Sequence, residues 1–152
     1  MRLAPKWLIF AVAIMALPAL VNAQCGHKCS GTCVLEKADT FVKSVPENMM
    51  YLISVEKLAA MIESGKTDFV VLDVRPPKYY EAGHIKGAMN IPLTMLIEKM
   101  NTVSKDKTVA VVCTMDTNSA FAVAVLQMNG YNAWIVEGGI PSWENSGRPL
   151  VE

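Results

Sequence analysis

From Met49 onward, two hydrophobic periods alternate along the chain. Val55, Leu58, Ala59 and Ile62 recur at three- and four-residue spacing, which predicts one apolar helix face. Ser54 stands ready to cap that helix and Gly65 to end it. Phe69 to Val74 is instead a continuous apolar run broken by one acid, Asp73. Such a run predicts a strand covered on both faces, as in a parallel sheet. Thr108 to Val112 predicts a second strand of this kind. Shorter strands are predicted at 51–53, at 88–91 (closed by Pro92) and at 133–136. Helices are predicted at 93–100, at 119–128 (stopped by Asn129-Gly130) and at 140–145, after a Gly138-Gly139 turn. Strands alternating with helices imply an α/β domain with a central, mainly parallel sheet flanked by helices.

Before Met49 the pattern is different. Arg2 and Lys6 precede an uncharged run from Trp7 to Val21, and Val21-Asn22-Ala23 offers small or apolar residues where a signal peptidase reads. This is the layout of a secretory signal peptide, cleaved after Ala23. The run falls short of the ~20 residues of a spanning helix, so a retained anchor is the lesser reading. Gln24 before Cys25 argues against a lipoprotein. The expected organisation is a signal peptide over 1–23, a cysteine-containing tail and linker over 24–45, and a folded domain over 46–152. The mature protein is then exported, to a periplasm or the exterior, with no stable membrane span.

Composition fits that division. The chain has 152 residues, 52% hydrophobic and 18% charged, with 14 basic and 14 acidic side chains. The leader holds much of the apolar excess and two of the basic residues, so the chain beyond the leader is slightly acidic. A nucleic-acid binder would show a basic excess, and none is present. The domain is long enough to bury a core without disulfide staples.

Cys113 falls where the strand at 108–112 ends, and Thr114, Met115, Asp116, Thr117 and Asn118 lead from it toward Ser119. Open parallel sheets bind ligands beyond the carboxyl ends of their strands. A helix N-terminus there offers free N–H groups and partial positive charge, both of which favour a nucleophilic thiolate. On position alone, a reactive cysteine and a buried structural one are equally good readings.

The surrounding residues add a resemblance. Leu72-Asp73-Val74-Arg75, Glu81 and the stretch from Gly83-His84 to Ile91-Pro92 are followed by Cys113, Ser119, Gly130-Tyr131, Glu137-Gly138-Gly139, Trp143 and Gly147-Arg148-Pro149. In order and spacing, over roughly Pro46 to Glu152, this resembles the rhodanese-like family. The resemblance implies a rhodanese fold with an active-site cysteine on a cradle-shaped loop. It implies a sulfurtransferase in which Cys113 takes a sulfane sulfur as a persulfide from a small sulfur-containing donor. A thiol or other nucleophile, on a small molecule or a protein, then removes that sulfur. Residues 114–119 become the substrate-binding loop, with Ser119 either a further hydrogen-bond donor or simply a helix cap. Asp73, Arg75, Glu81 and His84 become scaffold near the site, with Glu81 the expected partner of Arg75 and His84 a loop anchor. No cofactor is implied.

The loop departs from the family's Cys-Arg-x-Gly-x-Arg-Ser pattern. Thr114 and Asn118 replace the arginines, and Asp116 replaces the glycine. An acid in place of cations repels a dianion such as thiosulfate. This favours a less charged donor or a protein persulfide, and leaves open a non-catalytic module that binds a partner or carries persulfide. Ser119 also stands where a Cys-x5-Arg phosphatase needs arginine. Outside the resemblance, Cys25, His27, Cys29 and Cys33 form a cluster with four-residue cysteine spacing. A disulfide or flexible tail, a metal site, and a sulfur relay from Cys113 are the three readings of it, in that order.

Overall fold

The computed structural model describes residues 34–47 and 51–152. The expected leader and the Cys25, His27, Cys29 and Cys33 cluster lie outside the described residues. The two continuous apolar runs form the middle of the sheet. They are β2 (Phe69–Asp73) and β4 (Thr108–Val112), paired in register from Phe69 with Thr108 to Asp73 with Val112. β5 (Asn132–Val136) lies on the other side of β4. The shortest strands, β1 (Leu52–Ile53) and β3 (Met89–Asn90), take the edges. The order is β1-β5-β4-β2-β3 and every pairing is parallel.

Parallel neighbours need crossovers, and helices supply them on both faces. Side-chain parity along β4 sorts the two layers. Val109, Val111 and Cys113 belong to the cluster that contains Leu96, from α4 (Leu96–Lys99), and Ala122, Val123 and Leu126, from α5 (Asp116–Met128). Ala110 and Val112 belong to the opposite cluster with Val55, Leu58 and Ala59, from α2 (Val55–Glu63), and Ile140 and Trp143, from α6 (Gly139–Asn145). Ser54 caps α2 as expected, its Oγ accepting the Lys57 N–H at 3.3 Å.

Several elements differ from expectation. The segment read as a linker contains a helix, α1 (Val34–Ser44), with Glu36 in its first turn and Lys43 in its last, the signs its dipole favours. Phe41 of α1 stacks on Tyr51 at 6.2 Å. Tyr51, expected in the first strand, stands just before β1 at φ 57°. Its carbonyl accepts the Ile135 N–H at 2.7 Å and its ring meets Trp134 edge-on. A short helix, α3 (Pro77–Glu81), follows β2. Pro77 at its first position suits a site where no N–H is needed. The helix predicted at 93–100 is α4 flanked by two 3-10 turns, Leu93–Met95 and Met100–Thr102. Among the described residues, no helix is long and apolar enough to cross a membrane.

Candidate active site

Cys113 continues the parity of Val109 and Val111, so its side chain lies on the α5 face of the sheet. Among the described residues it has no disulfide partner, and it is only 2% exposed. The helix beyond it starts earlier than expected, at Asp116 rather than near Ser119. Only Thr114 and Met115 separate the cysteine from the first helical turn. Thr117 and Asn118 are therefore helical residues. Ser119 is not the cap: Met115 holds that position, and no side chain caps the helix.

Two contacts hold the cysteine and a third ties the turns beside it. Asn118 Nδ2 approaches Cys113 Sγ at 3.7 Å, placing an amide donor on the sulfur. Ile140 N donates to the Cys113 carbonyl at 2.9 Å. Asp116 Oδ2 accepts the Gly138 N–H at 3.1 Å. The acid expected to act only through its charge thus also ties the start of α5 to the turn before α6. Gly139 is what lets that turn close. It has φ 54°, and a Cβ there would run into the Cys113 carbonyl oxygen and stand 3.1 Å from its carbon. The pair Gly138-Gly139 is legible as a turn from the sequence, but its contact with the cysteine is not. Ser119 is fully buried, and its Oγ has no hydrogen-bond partner among the described residues.

The scaffold residues gather on the neighbouring strand end. Asp73 is 0% exposed, and its Oδ1 accepts the Arg75 backbone N–H at 2.9 Å. Both carboxylate oxygens accept Arg75 Nε at 3.0 Å, and Oδ2 also accepts Nη2 at 2.7 Å. Arg75 Nη2 donates in addition to the Gly83 carbonyl at 2.7 Å. Glu81, the expected partner of Arg75, is exposed and makes no such contact. A carboxylate two residues away at the same strand end takes Arg75 Nε and Nη2, ahead of one at the end of α3. His84 is a loop anchor: it stacks on Tyr80 at 3.9 Å, and its Nδ1 lies 3.1 Å from the Tyr80 carbonyl. Its backbone bridges Val151. Asn90, which lies in the resembling stretch with no role assigned to it there, donates to the carbonyls of both Asp73 and Arg75 at 3.0 and 2.9 Å.

Near α6, Glu56 and Glu137 help line a cleft of about 400 Å³. The Glu56 carboxyl is held below its usual value by a backbone hydrogen bond, then by one from Ser54, with a smaller pull from Arg148. Among the described residues, no group of three or more His, Cys, Asp or Glu side chains is placed to hold a metal.

A parallel sheet that presents a cysteine at a central strand end, against a helix N-terminus and a Gly-Gly turn, defines a rhodanese-type α/β domain. Comparison with known proteins agrees. Residues 54–146 match the Rhodanese-like domain model, and the chain belongs to that family. A protein named Sulfurtransferase from Allochromatium vinosum is 31% identical over 85 residues, 55% of this chain and 79% of that protein. The Bacillus subtilis protein YqhL is 39% identical over 77 residues; the match spans 48% of this chain and 59% of YqhL. The crystal structure of a rhodanese-related protein from Thermoplasma volcanium shares 39% identity at a TM-score of 0.60. That match covers 65% of this chain and 95% of the other.

Proposed function

We propose that this protein is a sulfurtransferase in which Cys113 carries a sulfane sulfur between a small donor and a thiol acceptor. The observation that carries this reading is the setting of the Cys113 sulfur, three residues before α5 and in contact with the Asn118 amide. The Cys113 thiolate attacks the outer sulfur of a donor persulfide, the donor's S–S bond breaks with its electron pair leaving on the donor thiolate, and the Cys113 persulfide so formed is discharged in a second half-reaction. Thr114, Met115 and the first turn of α5 (116–119) form the binding site, with neutral donors where arginine is usual in the family. Without those cations, thiosulfate is a poor donor and a less charged organic or protein persulfide a better one. We also propose that residues 1–23 direct export, so that the reaction runs in an oxidising compartment.

Intact mass after incubation with a small organic persulfide tests the reading. Wild type is expected to gain one sulfur, and Cys113→Ala none. Turnover of the variant should fall by about a thousandfold or more, as when a covalent nucleophile is removed. No gain in wild type with polysulfide, persulfide or thiosulfate would sink the proposal.

Ser119 offers a separable prediction. Its unpartnered hydroxyl is a cost in the resting fold, so Ser119→Ala should leave the melting temperature level or slightly raised. As a donor to the sulfur bound on Cys113, the same hydroxyl should matter to turnover by about tenfold. A variant with unchanged stability and unchanged kcat would remove Ser119 from the site.

A further inference from the structure

Exposed apolar and acidic side chains flank the Cys113 strand end in the chain. Met115 and Phe121 remain 64% and 60% exposed. Phe121 stands three residues after Asn118 and four after Thr117 on α5, so it shares their exposed face. Asp116 is exposed and holds the Gly138 N–H, which places it beside the exposed Glu137. Neither residues 113–121 nor residues 137–146 include a lysine or arginine. Cys113 itself is almost fully covered, so an acceptor must be seated before its sulfur can reach.

We propose that this rim docks a protein acceptor: a cysteine thiol on a basic polypeptide surface with an apolar residue beside it. The proposal rests on the sulfurtransferase reading and names the acceptor for it. Met115 and Phe121 supply the apolar contact. Asp116 and Glu137 attract the basic flank and disfavour small anionic acceptors. The acceptor thiol gives its proton to solvent, and its thiolate attacks the outer sulfur of the Cys113 persulfide. A new S–S bond forms on the acceptor as the bond to Cys113 Sγ breaks. The electron pair of the broken bond leaves on Sγ as thiolate. The sulfur moves without net oxidation, so no further reactant is required.

The test uses protein loaded with a small organic persulfide and read by intact mass. Discharge is followed with a cysteine peptide flanked by arginine and leucine, the same peptide with glutamate in place of arginine, and sulfite. The basic peptide is expected to discharge the protein about tenfold faster than the acidic one at low salt, the advantage shrinking as salt rises. Phe121→Ser should slow the peptide but not sulfite, and Glu137→Lys should erase or invert the charge preference. Equal peptide rates with normal loading, or a preference untouched by either variant, would overturn the docking proposal alone. Failure of wild type to load would overturn the sulfurtransferase reading, and this proposal with it.

Discussion

Gly139→Ala is expected to unfold or inactivate the protein more completely than a methyl group ordinarily would. The position combines two penalties. Its φ of 54° lies in the left-handed region, which costs an L-residue about 1–2 kcal/mol. The added Cβ also meets the Cys113 carbonyl, which is backbone and cannot rotate away. Overpacking of this kind costs about 1–3 kcal/mol. The two together should lower the melting temperature by roughly 10 °C or more. Any relief comes from separating the α6 turn from Cys113, which stretches the Ile140 N–H bond to that same carbonyl. Protein that still folds should therefore lose persulfide formation as well. Thermal melts and loading measured on the same preparation check both parts. A variant with wild-type stability would show that the turn and the cysteine are not in contact.

Asp73→Ala should be comparably severe for a different reason. Among the described residues, it leaves the buried Arg75 guanidinium with only the Gly83 carbonyl as partner. Removing one member of a buried ion pair costs about 3–5 kcal/mol, mostly from the stranded charge. Replacing both partners by apolar residues removes that charge. The double variant Asp73→Leu/Arg75→Met is thus expected to recover much of the loss. Urea unfolding of the two single variants and the double closes the cycle. A double variant as unstable as the sum of the singles would mean that the pair acts independently. Glu81→Ala, removing the partner that sequence spacing suggests, should change stability by no more than about 0.5 kcal/mol.

How much of the fold and the site is legible in the sequence depends on how local each cause is. β2 and β4 declare themselves because burial on both faces leaves an uninterrupted apolar run. The cysteine's place at a strand end comes directly from that. The start of α5 lies three residues before the point where the residue pattern puts it, because Asp116, Thr117 and Asn118 are residue types that also make loops and caps. Here the Asp116 side chain turns to Gly138 instead, a partner 22 residues away that no local signal reveals. α1 is hidden for a similar reason. None of its residues is buried, so its apolar positions do not trace a clean core-facing stripe. The Glu81 assignment fails because opposite charges at a suggestive spacing carry no direction, whereas Asp73 already faces Arg75 across one residue.

The alternation along β4 has a consequence for how such a site can diversify. Whether a nucleophile faces α5 at all is a matter of odd and even positions between Thr108 and Cys113; one residue inserted there would turn the thiol to the other layer. The two residues from Cys113 to α5, and the exposed first turn beyond them, carry no such arithmetic. Change there re-tunes what the sulfur meets while leaving the sulfur where it is. The strand therefore behaves as a fixed mount and the turn as an exchangeable fitting, so arginine, asparagine or aspartate can succeed one another beside the same cysteine.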